Sequence, residues 1–241
     1  MTLWVFGDSY TADGRKTIGS NNWQHIENTW VELLTKKLNV SNNNVFAIPG
    51  VSNEWIYGKL LQEQNNFQPG DYIIIQPTCA TRRWLIERCP ELANWQHLSA
   101  NNKFLTKDEV SALDSFRRYL INEQVELYNY DMFIRAVMFI SQNLVNNRML
   151  IIPGFHNIPG IVGSLGDICF GEFVNSTVED KYYRYHKNDP RINHMHEVNH
   201  RILAQKIHDF FKFGELVDLT AGFNTKFITE DNYKQNICLT S

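Results

Sequence analysis

The stretch LWVFGDSY, residues 3–10, decides the fold of this 241-residue chain. Its four apolar residues, 3–6, have the length of a buried parallel strand, and Gly7 follows where the backbone must turn sharply. Ligands bind at the carboxyl ends of strands in open α/β sheets, so Ser9 is positioned for chemistry. Gly, Asp and Ser also form ordinary turns. The stretch therefore predicts a strand that ends in either a nucleophilic serine or a plain turn.

Apolar runs alternate with helical patterns along most of the chain, which indicates βαβ units around a parallel sheet. Further strands are predicted at Asn44–Ile48, Tyr72–Ile75 and Arg148–Pro153, with a short one at Leu216–Leu219. The sequence thus predicts an α/β fold in one domain, residues 1–241.

Helix starts are marked by capping residues. Asn28 is the expected cap of a helix from about Thr29, Ser52 of the next helix, and Thr106 with Glu109 forms a capping box. Residues 82–147 contain no strand pattern but have helical periodicity over 84–98 and 107–144, so we predict a helical insertion there. A last helix is predicted from about Glu197.

Composition excludes several classes of protein. The formal charge is −3 with no dense run of Lys or Arg, so nucleic acid is not an expected partner. The apolar stretches are too short for a membrane helix and no leader is evident, so we expect no membrane partner and a cytoplasmic location. The four cysteines form no CxxC pair, so reduced thiols are expected.

A serine needs a base to become a nucleophile. The segment 188–200 supplies His194, just ahead of the last predicted helix, where a doubly wound fold can bring it to the edge of the sheet near Ser9. The sequence therefore predicts a Ser9–His194 pair.

In order along the chain, Gly7-Asp8-Ser9, Gly50 and His194 resemble the first, second and fifth blocks of the SGNH, or GDSL, hydrolases. The resemblance implies a flavodoxin-like, three-layer α/β/α sandwich. It also implies that the serine attacks an ester or acetyl carbonyl, that the histidine is the general base and that an aspartate orients it. The oxyanion is then held by the serine N–H, the Gly50 N–H and an asparagine side chain.

Two departures from the family pattern concern the site. Arg191 stands where the family has its aspartate, three residues before His194, which leaves Asp189 as the candidate third member if the turn at Pro190 folds it back. Asn193 or a backbone carbonyl is the alternative partner of His194, or the site is a dyad. No asparagine follows the third strand, so Asn53 or the Thr78 hydroxyl is expected to complete the oxyanion hole.

Residues 196–200 also fit the HExxH pattern of zinc proteases through His196, Glu197 and His200. The pattern straddles a predicted helix start and has no convincing third ligand, His208 being the one candidate. We therefore expect neither a metal nor a cofactor.

The resulting prediction is a serine-dependent hydrolase of carboxylic esters. Loops rich in Asn and aromatic residues, with no apolar lid segment, favour O-deacetylation of a carbohydrate, so the expected partner is a small-molecule or carbohydrate ester. Resemblance to phage-borne members adds a virion-associated location as an alternative. The competing hypothesis is a binding or structural module, for example of a virion or surface assembly, that kept the fold and lost the chemistry. The sequence leaves the oligomeric state open.

Overall fold

The computed structural model describes residues 1–12, 14–16, 23–25, 28–93, 105–144, 146, 148–158, 160–170, 195 and 197–223. Contacts divide the chain into two compact units, residues 1–12 with 41–156 and residues 13–40 with 157–241. The expectation of a single domain over residues 1–241 stays a prediction.

The first unit contains a four-stranded, all-parallel sheet. Its strands are β1 (Thr2–Gly7), β4 (Asn42–Ala47), β5 (Tyr72–Ile75) and β6 (Arg148–Ile151), in the order β4-β1-β5-β6. Strand β1 is central and pairs Thr2 with Asn42 on one side and Leu3 with Tyr72 on the other. The predicted α/β class with a parallel sheet is therefore confirmed.

Burial explains why these strands form the centre of the sheet. The side chains of Leu3, Val5 and Phe6 in β1 are fully buried, and so are the three isoleucines of β5. Parallel strands covered on both faces read as continuous apolar runs, as these two do. Asp71 fixes the entry to β5, because its carboxylate accepts hydrogen bonds from the backbone N–H of Thr2 (2.7 Å) and the indole of Trp4 (2.9 Å).

Helices α2 (Asn53–Glu63), α3 (Lys107–Tyr119) and α4 (Glu123–Asn143) belong to the same unit. Ser52 caps α2 and Thr106 forms the predicted capping box with Glu109 at the start of α3. The helical stretch predicted over 107–144 forms two helices, because α3 ends at Tyr119 and a new helix, α4, begins after its capping residue Asn122.

One helix prediction in this unit is wrong. A helix was predicted over 84–98, but residues 84–89 form no helix. In the described part of that range, the regular secondary structure is a 3-10 helix at Pro90–Ala93. Trp84 and Leu85 are more than a third exposed, so the apolar periodicity there has no core to face.

The second unit contains helices α1 (Trp30–Leu38), α5 (Leu165–Phe170) and α6 (Glu197–Phe213) and an antiparallel pair, β2 (Gly14–Lys16) with β3 (Trp23–His25). Helices α1 and α6 pack against each other. Thr29, not Asn28, caps α1 through its hydroxyl, because Asn28 adopts a left-handed φ of 59°. In place of a strand at 216–219 there is a single bridge between Val162 and Asp218.

Within the described ranges, no helix combines the length and the apolar character needed to cross a bilayer.

Candidate active site

The carboxyl ends of the strands in the first unit form the candidate site. From β1 the chain passes to β4 on one side and then to β5 on the other, so the strand order reverses between β1 and β5. Ligands bind at such switch points in parallel α/β sheets. Ser9 follows β1, Gly50 follows β4 and Thr78 follows β5.

A tight turn presents Ser9. The carbonyl oxygen of Asp8 accepts hydrogen bonds from the N–H groups of Thr11 (3.0 Å) and Ala12 (2.9 Å), so the chain reverses directly after β1. A Cβ at Gly7 would lie 2.6 Å from the Thr11 hydroxyl oxygen and 2.7 Å from Gln76 Oε1. This position therefore requires glycine, and Ser9 sits in the turn as a partly exposed residue.

The Asp8 carboxylate is fully buried and holds the turn to the segment after β5. Its Oδ2 forms an ion pair with Arg82 Nη1 at 2.7 Å and accepts a hydrogen bond from the Thr78 hydroxyl at 2.7 Å. Its Oδ1 accepts the N–H of Tyr10 at 3.0 Å. With these three partners, Asp8 acts as an anchor of the site.

The Thr78 hydroxyl lies between Asp8 and Arg82. It donates its single proton to the Asp8 carboxylate and accepts a hydrogen bond from Arg82 Nη1. A hydroxyl has one hydrogen, so this side chain has no second proton to give an incoming oxyanion.

Asn53, in the first turn of α2, is clamped to the backbone of Thr78. Its Oδ1 accepts the Thr78 N–H at 2.9 Å and its Nδ2 donates to the Thr78 carbonyl oxygen at 3.3 Å. An amide NH₂ has two hydrogens, and one of them makes this bond. The residue is buried, with 7% exposure, and the two bonds fix the orientation of its amide.

Gly50 is buried and adopts a φ of 83°, in the left-handed region that favours glycine. It lies in the turn after β4, two residues before the cap of α2, and this turn needs the left-handed backbone conformation.

An aromatic pair adjoins Arg82 at this edge. The guanidinium carbon lies 5.2 Å from the centre of the Phe155 ring, and the Tyr10 and Phe155 rings are 5.2 Å apart. Tyr10 is buried, whereas Phe155, which follows β6, is partly exposed. The edge thus combines a cation with an apolar ring.

Neither the partnership of Asp8 with Arg82 nor the placement of His156 was predicted from the sequence. No local pattern pairs residues 74 positions apart. His156 lies in the segment that follows β6, and its Nε2 accepts the N–H of Ala80 at 3.1 Å. Its position after a strand end was the signal that could have identified it.

Asp189 and His194 lie outside the described residues, so their predicted roles stay predictions. His196 also lies outside them. His200, on α6, is buried and accepts the backbone N–H of Trp30 through Nδ1 at 3.1 Å. Across the part of the chain that the structure describes, no group of three His, Cys, Asp or Glu side chains could hold a metal ion.

Comparisons with protein-family models, with curated proteins and with solved structures found no match to this chain.

Proposed function

We propose that this protein hydrolyses carboxylic esters by transfer of the acyl group to Ser9, on a three-layer α/β/α fold of the SGNH type. The observation that carries the proposal is that Ser9 and Gly50 follow the neighbouring strands β1 and β4, and that Asn53 bonds the backbone of Thr78, which follows β5 on the other side of β1. The resemblance to SGNH hydrolases implies a nucleophile after the first strand and an oxyanion donor after the second, and Asn53 takes the place of the asparagine expected after the third.

In the proposed reaction, His194 removes the proton from the Ser9 hydroxyl as its oxygen attacks the ester carbonyl. The tetrahedral intermediate collapses when the bond to the leaving alcohol breaks and His194 gives that alcohol the proton. Water, deprotonated by His194, then attacks the acyl-enzyme and releases the acid and Ser9. Asp189 is the proposed partner that orients His194.

The negative oxygen of the intermediate is proposed to accept hydrogen bonds from the N–H groups of Ser9 and Gly50 and from Asn53. Of the two side chains predicted for the third donor, proton counting favours Asn53, because the one proton of the Thr78 hydroxyl goes to Asp8. Asn53 has a second amide hydrogen besides the one donated to the Thr78 carbonyl oxygen.

A carbohydrate O-acetyl group is the proposed substrate class. The partly exposed Phe155 ring beside Arg82 supports this choice, since an aromatic face and a charged hydrogen-bond donor together suit a polar ring.

The decisive experiment compares wild type with Ser9→Ala in the hydrolysis of p-nitrophenyl acetate and of acetylated sugars. Loss of the nucleophile should lower kcat by more than about 10³-fold. Ser115→Ala, at an exposed serine of α3, is the matched control and should leave the rate unchanged. Circular dichroism verifies that all variants are folded.

A second arm labels the protein with a fluorophosphonate, which bonds covalently to activated serines. Mass spectrometry should find the adduct on Ser9 in wild type and no adduct in the His194→Ala variant. Equal rates for wild type and Ser9→Ala, with no adduct on Ser9, would overturn the hydrolase proposal and favour the binding or structural module.

The binding or structural module has one observation in its favour. Both ends of the Asn53 amide bond the Thr78 backbone, which is what a purely structural asparagine would do. Asn53→Ala separates the two functions, since loss of an oxyanion donor lowers kcat by about 10²- to 10³-fold.

A further inference from the structure

Helix α4 of the first unit has apolar side chains on two opposite sides. One side, which includes Ile134 and Val137, is buried. The side away from it, which we call the α4 face, is exposed and consists of Val125, Tyr128, Met132 and Phe139. Its two aromatic rings are 64% and 67% exposed. A contiguous apolar surface of this kind marks an interaction site.

The spacing of the α4 face is that of a coiled-coil seam. Residues 125, 128, 132, 135 and 139 follow one another at intervals of three and four, which is the a and d pattern of a heptad repeat. The one charged member is Arg135, at a d position. Such a seam fits a helix with the same spacing, and α4 of a second copy of this chain has that spacing.

Charge decides the direction in which two α4 helices can pair. In a parallel pair equal heptad positions meet, so Arg135 would face Arg135 of the second copy and the two cations would repel each other. In an antiparallel pair a meets d, so Met132 faces Arg135 of the second copy, and Asp131, the residue before Met132, lies beside that arginine. Arg135 Nε also bonds Asp131 of its own chain at 2.7 Å, so the seam covers no cation without a counter-ion.

We propose that the protein forms a two-fold symmetric dimer through antiparallel α4 helices. The same register that sets Met132 against Arg135 sets Tyr128 of each copy against Phe139 of the other. A two-fold interface repeats every contact, so this aromatic pair forms twice in each dimer.

The exposed area is enough for a weak dimer. The four side chains of the α4 face and the adjoining Met138 are all exposed. Each presents on the order of 100 Å², so two copies would bury about 1,000 Å², at the lower end for specific interfaces. We therefore expect a dissociation constant of about 10–100 µM, which leaves the protein mostly monomeric at low micromolar concentrations.

Sedimentation velocity of the intact protein over a range of concentrations tests the proposal and should show a monomer–dimer equilibrium. Tyr128→Lys and Phe139→Glu each set a charge against an aromatic ring twice per dimer, so each should raise Kd at least about tenfold. Leu61→Glu, at an exposed apolar residue of α2 in the same unit, is the matched control and should leave Kd unchanged. Circular dichroism verifies that the variants are folded.

An equimolar mixture of the Tyr128→Lys and Phe139→Glu variants tests the direction of pairing. In an antiparallel heterodimer the introduced lysine meets the introduced glutamate at one contact, and the native tyrosine meets the native phenylalanine at the other. The Kd of the mixture should therefore return to within about threefold of the wild-type value. In a parallel pair each introduced charge would still face an aromatic ring, and the mixture would associate as weakly as the single variants.

A wild type that stays monomeric well above the expected Kd, or a dimer that Phe139→Glu leaves intact, would overturn the proposal. A mixture that associates no better than its two components would overturn the antiparallel pairing. Ester hydrolysis does not enter these measurements, so their result is independent of Ser9.

Discussion

Asp8→Asn tests whether the buried carboxylate is an anchor of the site. The substitution preserves volume but replaces the anion beside Arg82 with an amide. Whichever way the amide is turned, its NH₂ group must face either the donors of Thr78 and Arg82 or the donor N–H of Tyr10. One hydrogen-bonded contact therefore becomes a donor–donor clash.

The magnitude follows from burial. Breaking a buried ion pair by removing one partner destabilises a protein by about 3–5 kcal/mol. The Asp8 side chain is fully buried, but that of Arg82 retains 11% exposure and can partly reach water, which places the expected loss near the lower end. A loss of about 3 kcal/mol in a chain of this size lowers Tm by about 6–12 °C.

Asp131→Asn is the matched control. Asp131 pairs with Arg135 at the same distance, 2.7 Å, but on the exposed surface of α4, with side chains 55% and 70% exposed. Exposed helical pairs contribute about 0.3–0.5 kcal/mol, so Tm should fall by no more than about 2 °C.

The assay is thermal unfolding followed by circular dichroism, with Arg82→Met and the Asp8→Asn/Arg82→Met double variant completing a cycle. Because the unpaired guanidinium is itself a source of the loss, the double variant should be less destabilised than the sum of the single variants. The anchor argument fails if Asp8→Asn melts within 2 °C of Asp131→Asn, or if the two single losses simply add.

Three further predictions concern other parts of the structure. Gly154→Ala should destabilise the protein by about 1–3 kcal/mol in urea unfolding, because its Cβ would overlap the carbonyl oxygen of Pro77. Gly58→Ala, in open space on α2, should instead stabilise it by about 0.5–1 kcal/mol. His200→Ala should destabilise the protein by about 1–3 kcal/mol because it removes the imidazole that accepts the N–H at the start of α1. His200→Asn, which supplies another acceptor, should recover part of that loss, and equal losses in the two variants would exclude the hydrogen bond as the cause. Hydrogen bonds to Arg88 and to Thr106, the cap of α3, lower the pKa of Glu109 from 4.5 to about 2. The contribution of these bonds to the stability of the folded protein is therefore present above pH 4.5 and is lost as the pH falls toward 2. Glu109→Gln should therefore flatten the acid limb of a Tm-against-pH curve, and an unchanged limb would contradict this.

The sheet was predictable from sequence because its signals are local. The apolar runs of β1 and β5 are buried on both faces, and the capping residues Ser52 and Thr106 bond groups three residues away. The cap of α1 was misplaced by one residue because Asn28 and Thr29 are both good caps, and only the backbone conformation of Asn28 distinguishes them.

The contacts that organise the site were not predictable, because they join side chains far apart in sequence. Periodicity gives no indication that Asp8 meets Arg82 or that Asn53 bonds the backbone of Thr78, since each contact depends on strand order. At Trp84 and Leu85 the sequence has a helical pattern, but no helix forms. The two side chains are more than a third exposed, so their apolar surface has no core to pack against.

The close approach of Gly154 to the backbone after β5 has a consequence for ligand entry. The two segments leave no space even for a methyl group at Gly154, so the connection that leads to Phe155 and His156 packs directly against its neighbour. We therefore expect a molecule that binds at this edge to meet a preformed surface and to be selected by steric fit. Amide hydrogen exchange in residues 76–80 and 154–156 should accordingly be slow and insensitive to saturating ligand.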